Sequence, residues 1–161
     1  MTDVLTKEQR SRCMAAIRSK GTRPEIVLGR LLRNAGYHYR ANDKSLPGKP
    51  DAVFPRDKKV VFVHGCFWHR HNCKAGRSEP ATRRAFWSLK FSSNKARDRR
   101  QTSELHTLGW GVLTVWQCQL KGARALPTLE RIKAFLAAKK TRALLENNLA
   151  PVRAASQKRL R

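Results

Sequence analysis

The chain has 161 residues and a formal net charge of +24. This length fits one domain, and no apolar run approaches the roughly 20 residues that a membrane span requires. The N-terminus likewise lacks the apolar stretch of a secretory signal peptide. Residues 121–161 carry 11 basic and 2 acidic side chains, which leaves +15 on residues 1–120. Because the charge is not confined to the tail, it favours an acidic polymer such as nucleic acid as the partner.

Two helices are predicted at the start of the chain. Thr6-Lys7-Glu8-Gln9 has the form of a capping box, which predicts a helix to about Ser19, with basic residues that suit a phosphate-facing arm. Thr22-Arg23-Pro24-Glu25 begins a second helix, which ends at Gly36. Its buried face is a stripe of apolar residues, namely Val27, Leu28, Leu31, Leu32 and Ala35.

The next part of the chain alternates between strand and turn signals. Short strands are predicted over residues 37–40 and 51–54, separated by a loop over 42–50 that contains Asn, Asp, Ser, Gly and two Pro. Residues 55–58 then form a turn, and the β-branched run over 59–64 forms the following strand.

The second half of the chain is predicted to contain mostly helices. In chain order these elements are helices over 80–91 and 94–108, an apolar strand over 110–116 placed centrally in a sheet, a helix over 127–146, and a flexible basic tail over 147–161. The complete order predicts an α/β or α+β sandwich with a mixed sheet.

A first candidate site lies on the predicted hairpin. If its turn lies near residues 56–58, antiparallel partners have numbers that sum to 113–115, so Asp51 faces one of the residues 62–64. A carboxylate beside His64 is a suitable place for Mg²⁺, which would neutralise a phosphodiester and activate a water. The alternative is that Asp51 simply ends the Pro-rich loop as a turn residue.

A second candidate site is a cluster of cysteines and histidines. One ten-residue segment around Cys66 and Cys73 contains three of the five His and two of the four Cys of the chain. Together with Cys118 and one histidine, these cysteines would form a closed, structural zinc site. His71 is favoured because it lies between Cys66 and Cys73, although the spacing also allows His69. The alternative is a set of free thiols beside solvated histidines.

Histidines that the zinc site leaves free could take part in catalysis. His64 and His69 are then available as a general base or to orient water. Asp98 lies among three arginines and is the best candidate to orient such a histidine, although an ion pair with Arg97 is a simpler role for it. Glu25 also has a simpler role, since it completes the capping box with Thr22.

Two pairs of adjacent aromatic residues form a third feature. Phe67 and Trp68 lie within the Cys/His segment, and Phe86 and Trp87 lie among basic residues. Exposed aromatic pairs of this kind could wedge between base pairs or stack on bases. The alternative is packing in the core, which we weigh most heavily for Phe86.

Taken together, these residues resemble the very short patch repair (Vsr) mismatch endonuclease family over about residues 7–121. The similar stretches are Ser45–Asp51, Phe62–Cys73, Pro80-Ala-Thr-Arg, Phe86-Trp87, Arg97-Asp-Arg-Arg and Gly109–Cys118. The resemblance implies an α/β, restriction-endonuclease-like fold, in which helices flank a mixed sheet and a zinc ion has a structural role. It also implies Mg²⁺-dependent nicking of one DNA strand, 5′ to the thymine of a T:G mismatch.

The resemblance assigns roles by position. Asp51 would be the principal Mg²⁺ ligand, with the backbone carbonyl of Val63 as another, and Glu25 would support the site. His64 would hold a water at the metal. The residue that activates the attacking water would be His69, oriented by Asp98. The zinc ligands would be Cys66, His71, Cys73 and Cys118, and the DNA-intercalating residues would be Phe67, Trp68 and Trp87.

The resemblance also implies an organisation and a setting. Residues 1–146 would form one domain, in which residues 1–20 are an arm that closes on the DNA, and residues 147–161 would be a basic tail. The expected partner of this monomer is double-stranded DNA with a T:G mismatch, in the bacterial cytoplasm with the nucleoid and away from membranes. Mismatch-repair proteins are a further partner that the sequence leaves open.

Two other functions remain as alternatives. A zinc-stabilised module that only binds DNA needs no metal-ready carboxylate, so Asp51 together with His64 and His69 argues against it. A restriction-type nuclease would share the chemistry and would differ only in cutting matched duplex.

Overall fold

The computed structural model describes residues 6, 8, 9, 12 and 21–138. The predicted capping box is confirmed, because the Thr6 N–H donates to the Gln9 Oε1 (2.9 Å) and the Gln9 N–H donates to the Thr6 Oγ1 (3.2 Å). Most of the helix predicted up to Ser19, residues 139–146 and the predicted tail lie outside the described residues. The last helix, predicted over 127–146, ends at Ala137, because Ala138 leaves the helical conformation.

Helices and strands alternate along the described chain. In order they are α1 (Arg23–Asn34), β1 (Ala52–Phe54), β2 (Lys59–His64), α2 (Lys74–Arg77), α3 (Arg84–Thr107), β3 (Gly111–Trp116), two 3₁₀ turns (Gln117–Leu120 and Gly122–Arg124) and α4 (Ala125–Ala137). Among the described residues, no helix is sufficiently long and apolar to cross a membrane.

The three strands form a mixed sheet in the order β1-β2-β3. β1 and β2 are antiparallel with Ala52 opposite Val61, which agrees with the predicted register. β2 and β3 are parallel, and His64 lies opposite Trp116 at their carboxyl ends. The prediction that β3 is central is wrong for the described sheet. β2 is the central strand, because the hairpin occupies one of its edges and β3 the other.

Two predicted elements differ from the structure. Residues 37–40 form no strand, because β1 is only three residues long and Arg40 alone reaches it, through an isolated bridge to Val53. The two helices predicted over 80–91 and 94–108 are one helix that begins at Arg84. The predicted gap between residues 91 and 94 is absent, because Asn94 is buried and its Nδ2 donates to the Trp68 carbonyl, which stabilises the continuous helix.

The core lies on both faces of the sheet. On one face, α1 and α4 pack against the sheet through buried apolar residues such as Leu32, Val115 and Ile132. On the other face, Leu105 of α3 packs against buried strand residues such as Val60. The described chain is therefore a mixed α/β sandwich with the sheet between two helical layers. This arrangement leaves the carboxyl ends of β2 and β3 open between the layers.

Candidate active site

Asp51 lies immediately before β1 and is half-buried. Its Oδ2 accepts a hydrogen bond of 2.6 Å from the backbone N–H of Val63 in β2, so the carboxylate is fixed at the edge of the hairpin. Burial raises the pKa of the Asp51 carboxyl to about 6, and the nearby Glu25 also raises it, although the Val63 hydrogen bond acts in the opposite direction. A nearby cation would stabilise the charged form of a carboxylate that is held in place and poorly solvated in this way.

Glu25 approaches Asp51 from the first turn of α1. Its Oε1 accepts a hydrogen bond from the Thr22 hydroxyl (2.7 Å), and its Oε2 accepts one from the Gly21 N–H (2.9 Å). Asp51 and Glu25 line one depression, which also contains Arg33 and which we call the Asp51 depression. The capping box predicted for Thr22 and Glu25 does not form, because the Thr22 side chain makes no capping hydrogen bond and donates to Glu25 instead. Glu25 still binds the chain at the helix start, and its carboxylate also lies beside Asp51.

His64, His69 and Asp98 form a second group, whose ligand atoms lie within 4.8 Å of one another and which does not include Asp51. The His69 Nδ1 lies 2.5 Å from the Asp98 Oδ2. The imidazole rings of His64 and His69 are stacked, with their centroids 3.9 Å apart. Arg97 also contacts Asp98, at 3.4 Å, so Asp98 has both of the partners that its sequence context suggests. Burial, and then the neighbouring His69, lowers the pKa of His64 to about 4. His64 is therefore neutral near pH 7.

The four predicted zinc ligands are gathered at one place. The ligand atoms of Cys66, His71, Cys73 and Cys118 all lie within 4.8 Å of one another. His69 belongs to the other group, so of the two histidines that the spacing allowed, the structure brings His71 to the cysteines. The loop is closed by a hydrogen bond from the His71 N–H to the Cys66 carbonyl, 3.0 Å long.

This Cys₃His cluster suits a tetrahedral metal ion. The Cys118 Sγ lies 3.5 Å from the His71 Nδ1, close to the separation of about 3.5 Å expected for two ligands on one zinc. The hydrogen bond to His71 is the main reason that the pKa of Cys73 falls to about 6, whereas burial raises the pKa of Cys66 to about 12. A cation would stabilise both thiolates. Gly76 is required beside the cluster, because a Cβ there would lie 2.0 Å from the His71 carbonyl oxygen.

Sequence comparison shows that this chain is similar to known DNA endonucleases. The family model of the DNA mismatch endonuclease Vsr matches residues 2–75. The type II nicking enzyme V.XorIIP of Xanthomonas oryzae pv. oryzae is 48% identical over 126 residues, which cover 78% of this chain and 92% of that enzyme. The DNA mismatch endonuclease Vsr of Escherichia coli is 47% identical over 126 residues, which cover 78% of this chain and 80% of that enzyme.

The chain belongs to the Vsr family of DNA mismatch endonucleases. It is therefore a DNA endonuclease. A nuclease of this family implies a divalent metal, and the described residues offer the Cys₃His cluster and the carboxylate and histidine groups as places that could hold one.

In this Vsr-family endonuclease, aromatic residues of the Cys/His loop and of α3 pack into one cluster. Phe67 contacts Trp68, Trp87 and Phe91 at centroid distances of 5.2–5.4 Å. Phe91 is buried beneath the cluster, while Phe67, Trp68 and Trp87 are half-buried. Phe86 is not a core residue, since 50% of it is exposed. The predicted intercalating residues thus lie together and remain partly accessible.

Arg70 is a residue of this Vsr-family endonuclease that the sequence did not single out. It lies between His69 and His71 with a positive φ of 54°. Its guanidinium lies over the Phe91 ring at 4.7 Å and donates to the Ser78 carbonyl at 2.6 Å. Arg70 therefore links the loop that carries both histidines to the aromatic cluster. A non-glycine residue with positive φ is visible only in a structure, so no sequence signal indicated this role.

Proposed function

We propose that this Vsr-family endonuclease is a Mg²⁺-dependent nicking enzyme that hydrolyses the phosphodiester 5′ to the thymine of a T:G mismatch. One observation supports this most strongly. A half-buried carboxylate pair, Asp51 with Glu25, is held at the end of β2 by the Val63 amide, and a histidine–carboxylate pair, His69 with Asp98, stacks on the adjacent residue His64. A site that only binds DNA needs neither pair.

We assign Mg²⁺ binding to Asp51, with the backbone carbonyl of Val63 as a further ligand. Oxygen donors of this kind suit Mg²⁺. When bound, Mg²⁺ would supply positive charge that neutralises the phosphodiester and lowers the pKa of water. Glu25 supports the site, because its own hydrogen bonds hold its carboxylate beside Asp51. His64 stays neutral and orients a water at the metal.

His69 is the proposed general base that takes a proton from the attacking water. Asp98 holds its Nδ1, which leaves Nε2 as the nitrogen that accepts the proton. The negative charge of Asp98 also stabilises the imidazolium that forms. The aromatic residues Phe67, Trp68 and Trp87 would insert beside the mismatch, which is the easiest place to open the base stack.

The remaining assignments concern the scaffold. We propose a restriction-endonuclease-like fold in a single domain over residues 1–146, stabilised by a structural zinc on the Cys₃His cluster. Residues 1–20 would close on the DNA as an arm. A chromosomal substrate places the monomer with the bacterial nucleoid, where mismatch-repair proteins are candidate partners.

A strand-resolved nicking assay tests this function. Duplexes labelled on each strand and carrying one T:G pair in several flanking contexts are compared with the matched T:A and C:G duplexes. The proposal expects a cut only in the thymine strand of the mismatched duplex, 5′ to the thymine, and only with Mg²⁺. Equal cutting of matched duplex would instead favour a restriction-type nuclease, and binding without cutting in every context would favour a DNA-binding module.

A further inference from the structure

An open groove runs between α3 and β3 from the proposed general base. His64, His69 and Asp98 lie at one end, and His106 lines it further along α3. Thr114 of β3 lines the opposite wall. We call this feature the α3 groove, and the proposed roles of the histidines account for only one end of it.

Cationic and hydroxyl side chains line the α3 groove at intervals of one helical turn. Lys95, Arg99, Thr102 and His106 are separated by three or four residues, so they project from one face of α3. At 1.5 Å per residue, the row from Lys95 to His106 is about 16 Å long. A row of this length is long enough to follow several nucleotides of one DNA strand.

Within the described part of the chain, the two cations of the groove have no partner, unlike the arginines beside them in sequence. Arg97 pairs with Asp98 at 3.4 Å, and Arg100 lies 3.7 Å from Glu104. Lys95 and Arg99 are exposed and form no ion pair or hydrogen bond with any residue that the structure describes. Unpaired cations beside a phosphodiesterase site are the expected ligands of neighbouring DNA phosphates.

From this geometry we propose that the α3 groove binds the backbone of the cut strand across the cleaved bond. Arg99, which follows Asp98, would bind a phosphate on the 5′ side, and Lys95, which precedes Asp98, would bind one at or 3′ to the cleaved bond. The proposal rests on the proposed function, because the roles proposed there for Trp87 and Asp98 set the direction in which the DNA strand runs along α3. Trp87 precedes Asp98 by 11 residues and His106 follows it by 8. If the thymine, 3′ to the cut, lies beside Trp87, the 5′ flank runs towards His106.

Alanine substitutions that remove one charge at a time give the first test. Arg99→Ala and Lys95→Ala are compared with Arg100→Ala, which removes the same charge from the adjacent position of the same helix but outside the groove. Binding of a T:G duplex is measured without divalent cations over a range of NaCl concentrations. Each groove variant is expected to bind about tenfold more weakly near physiological salt and to lower the salt slope by about 0.9, whereas Arg100→Ala keeps both values.

Uncharged methylphosphonate linkages then locate the contacts. They are introduced one at a time along both strands, and binding by wild type and Arg99→Ala is compared at each position. We expect one position, within a few nucleotides 5′ of the cut, at which the methylphosphonate weakens DNA binding by wild type but does not further weaken binding by Arg99→Ala. Arg99→Lys should restore sensitivity there, since it restores the charge.

Three results would overturn the proposal. The first is an equal loss of DNA affinity in Arg99→Ala and Arg100→Ala, and the second is an unchanged salt slope in both groove variants. The third is that the phosphate whose replacement affects wild type but not Arg99→Ala lies 3′ to the cut or on the other strand. Because all three are binding measurements, they stand apart from the proposed activity. Failure of wild type to nick any T:G duplex would refute that activity, while the salt slopes would still decide whether the groove binds DNA.

Discussion

Replacing Asp51 with asparagine should stabilise the metal-free protein. The carboxylate is held at the hairpin edge beside Glu25, and its pKa is raised from the ordinary value of 3.8 to about 6. The folded state therefore binds the Asp51 proton more tightly than the unfolded state does. This contribution to stability is fully present below pH 3.8 and is lost as the pH rises through about 6. Asparagine has no charge to desolvate, and its Oδ1 can still accept the Val63 hydrogen bond.

The magnitude follows from the size of the pKa shift. Two pKa units at about 1.4 kcal/mol each give a gain of up to about 3 kcal/mol at pH 8. For a chain of this length, that gain corresponds to a melting temperature about 6–10 °C higher. The difference between variant and wild type should be about 1 kcal/mol smaller at pH 5, because part of the wild-type carboxyl is protonated there.

Thermal unfolding followed by circular dichroism measures this effect, in buffers from pH 5 to 8 without divalent cations. Asp57→Asn is the control, because Asp57 is an exposed residue of the hairpin turn and should show no comparable gain. Added Mg²⁺ should raise the melting temperature of wild type and leave Asp51→Asn unchanged. If Asp51→Asn is less stable than wild type at pH 8 without metal, burial of the charged Asp51 carboxylate does not destabilise the folded protein as proposed.

Three further predictions concern the Cys₃His cluster, a buried lysine and the proposed general base. Cys73→Ser should reduce bound zinc from about one ion per chain, measured by elemental analysis, and should lower the melting temperature. Lys59→Met should lower the free energy of unfolding in urea by about 2 kcal/mol, because the buried Nζ donates to two carbonyls at the end of α4. Lys58→Met is the control, because Lys58 is exposed and its replacement should change the free energy of unfolding little. Asp98→Asn should lower single-turnover nicking on the order of 10²-fold, since His69 loses its orienting carboxylate.

Local signals in the sequence predicted the elements that depend on few distant contacts. Both the capping box at Thr6 and the start of α1 are encoded within four residues, and both are confirmed. The bounds of β2 were also predicted correctly, because a β-branched run follows a turn. The Cys and His spacing indicated the metal cluster, but only the folded loop decides between His69 and His71.

Contacts between distant segments explain what the sequence could not predict. The continuity of α3 depends on Asn94, whose hydrogen bond to Trp68 crosses from the helix to the Cys/His loop. The direction of the Asp51 side chain depends on the Val63 amide, and it places Asp51 in a depression separate from the groove that His64 lines. The α3 groove requires the complete helix, so a prediction that divided α3 could not align Lys95 with His106.

The most direct test of the central claim is a single-turnover measurement of T:G duplex nicking by wild type and Asp51→Asn across Mg²⁺ concentrations. We predict that wild type cuts the thymine strand only when Mg²⁺ is added. Asp51→Asn, although folded and at least as stable, should cut on the order of 10²-fold more slowly or not at all at every Mg²⁺ concentration. Mg²⁺-dependent nicking by Asp51→Asn at the wild-type rate would contradict the assignment of the active site.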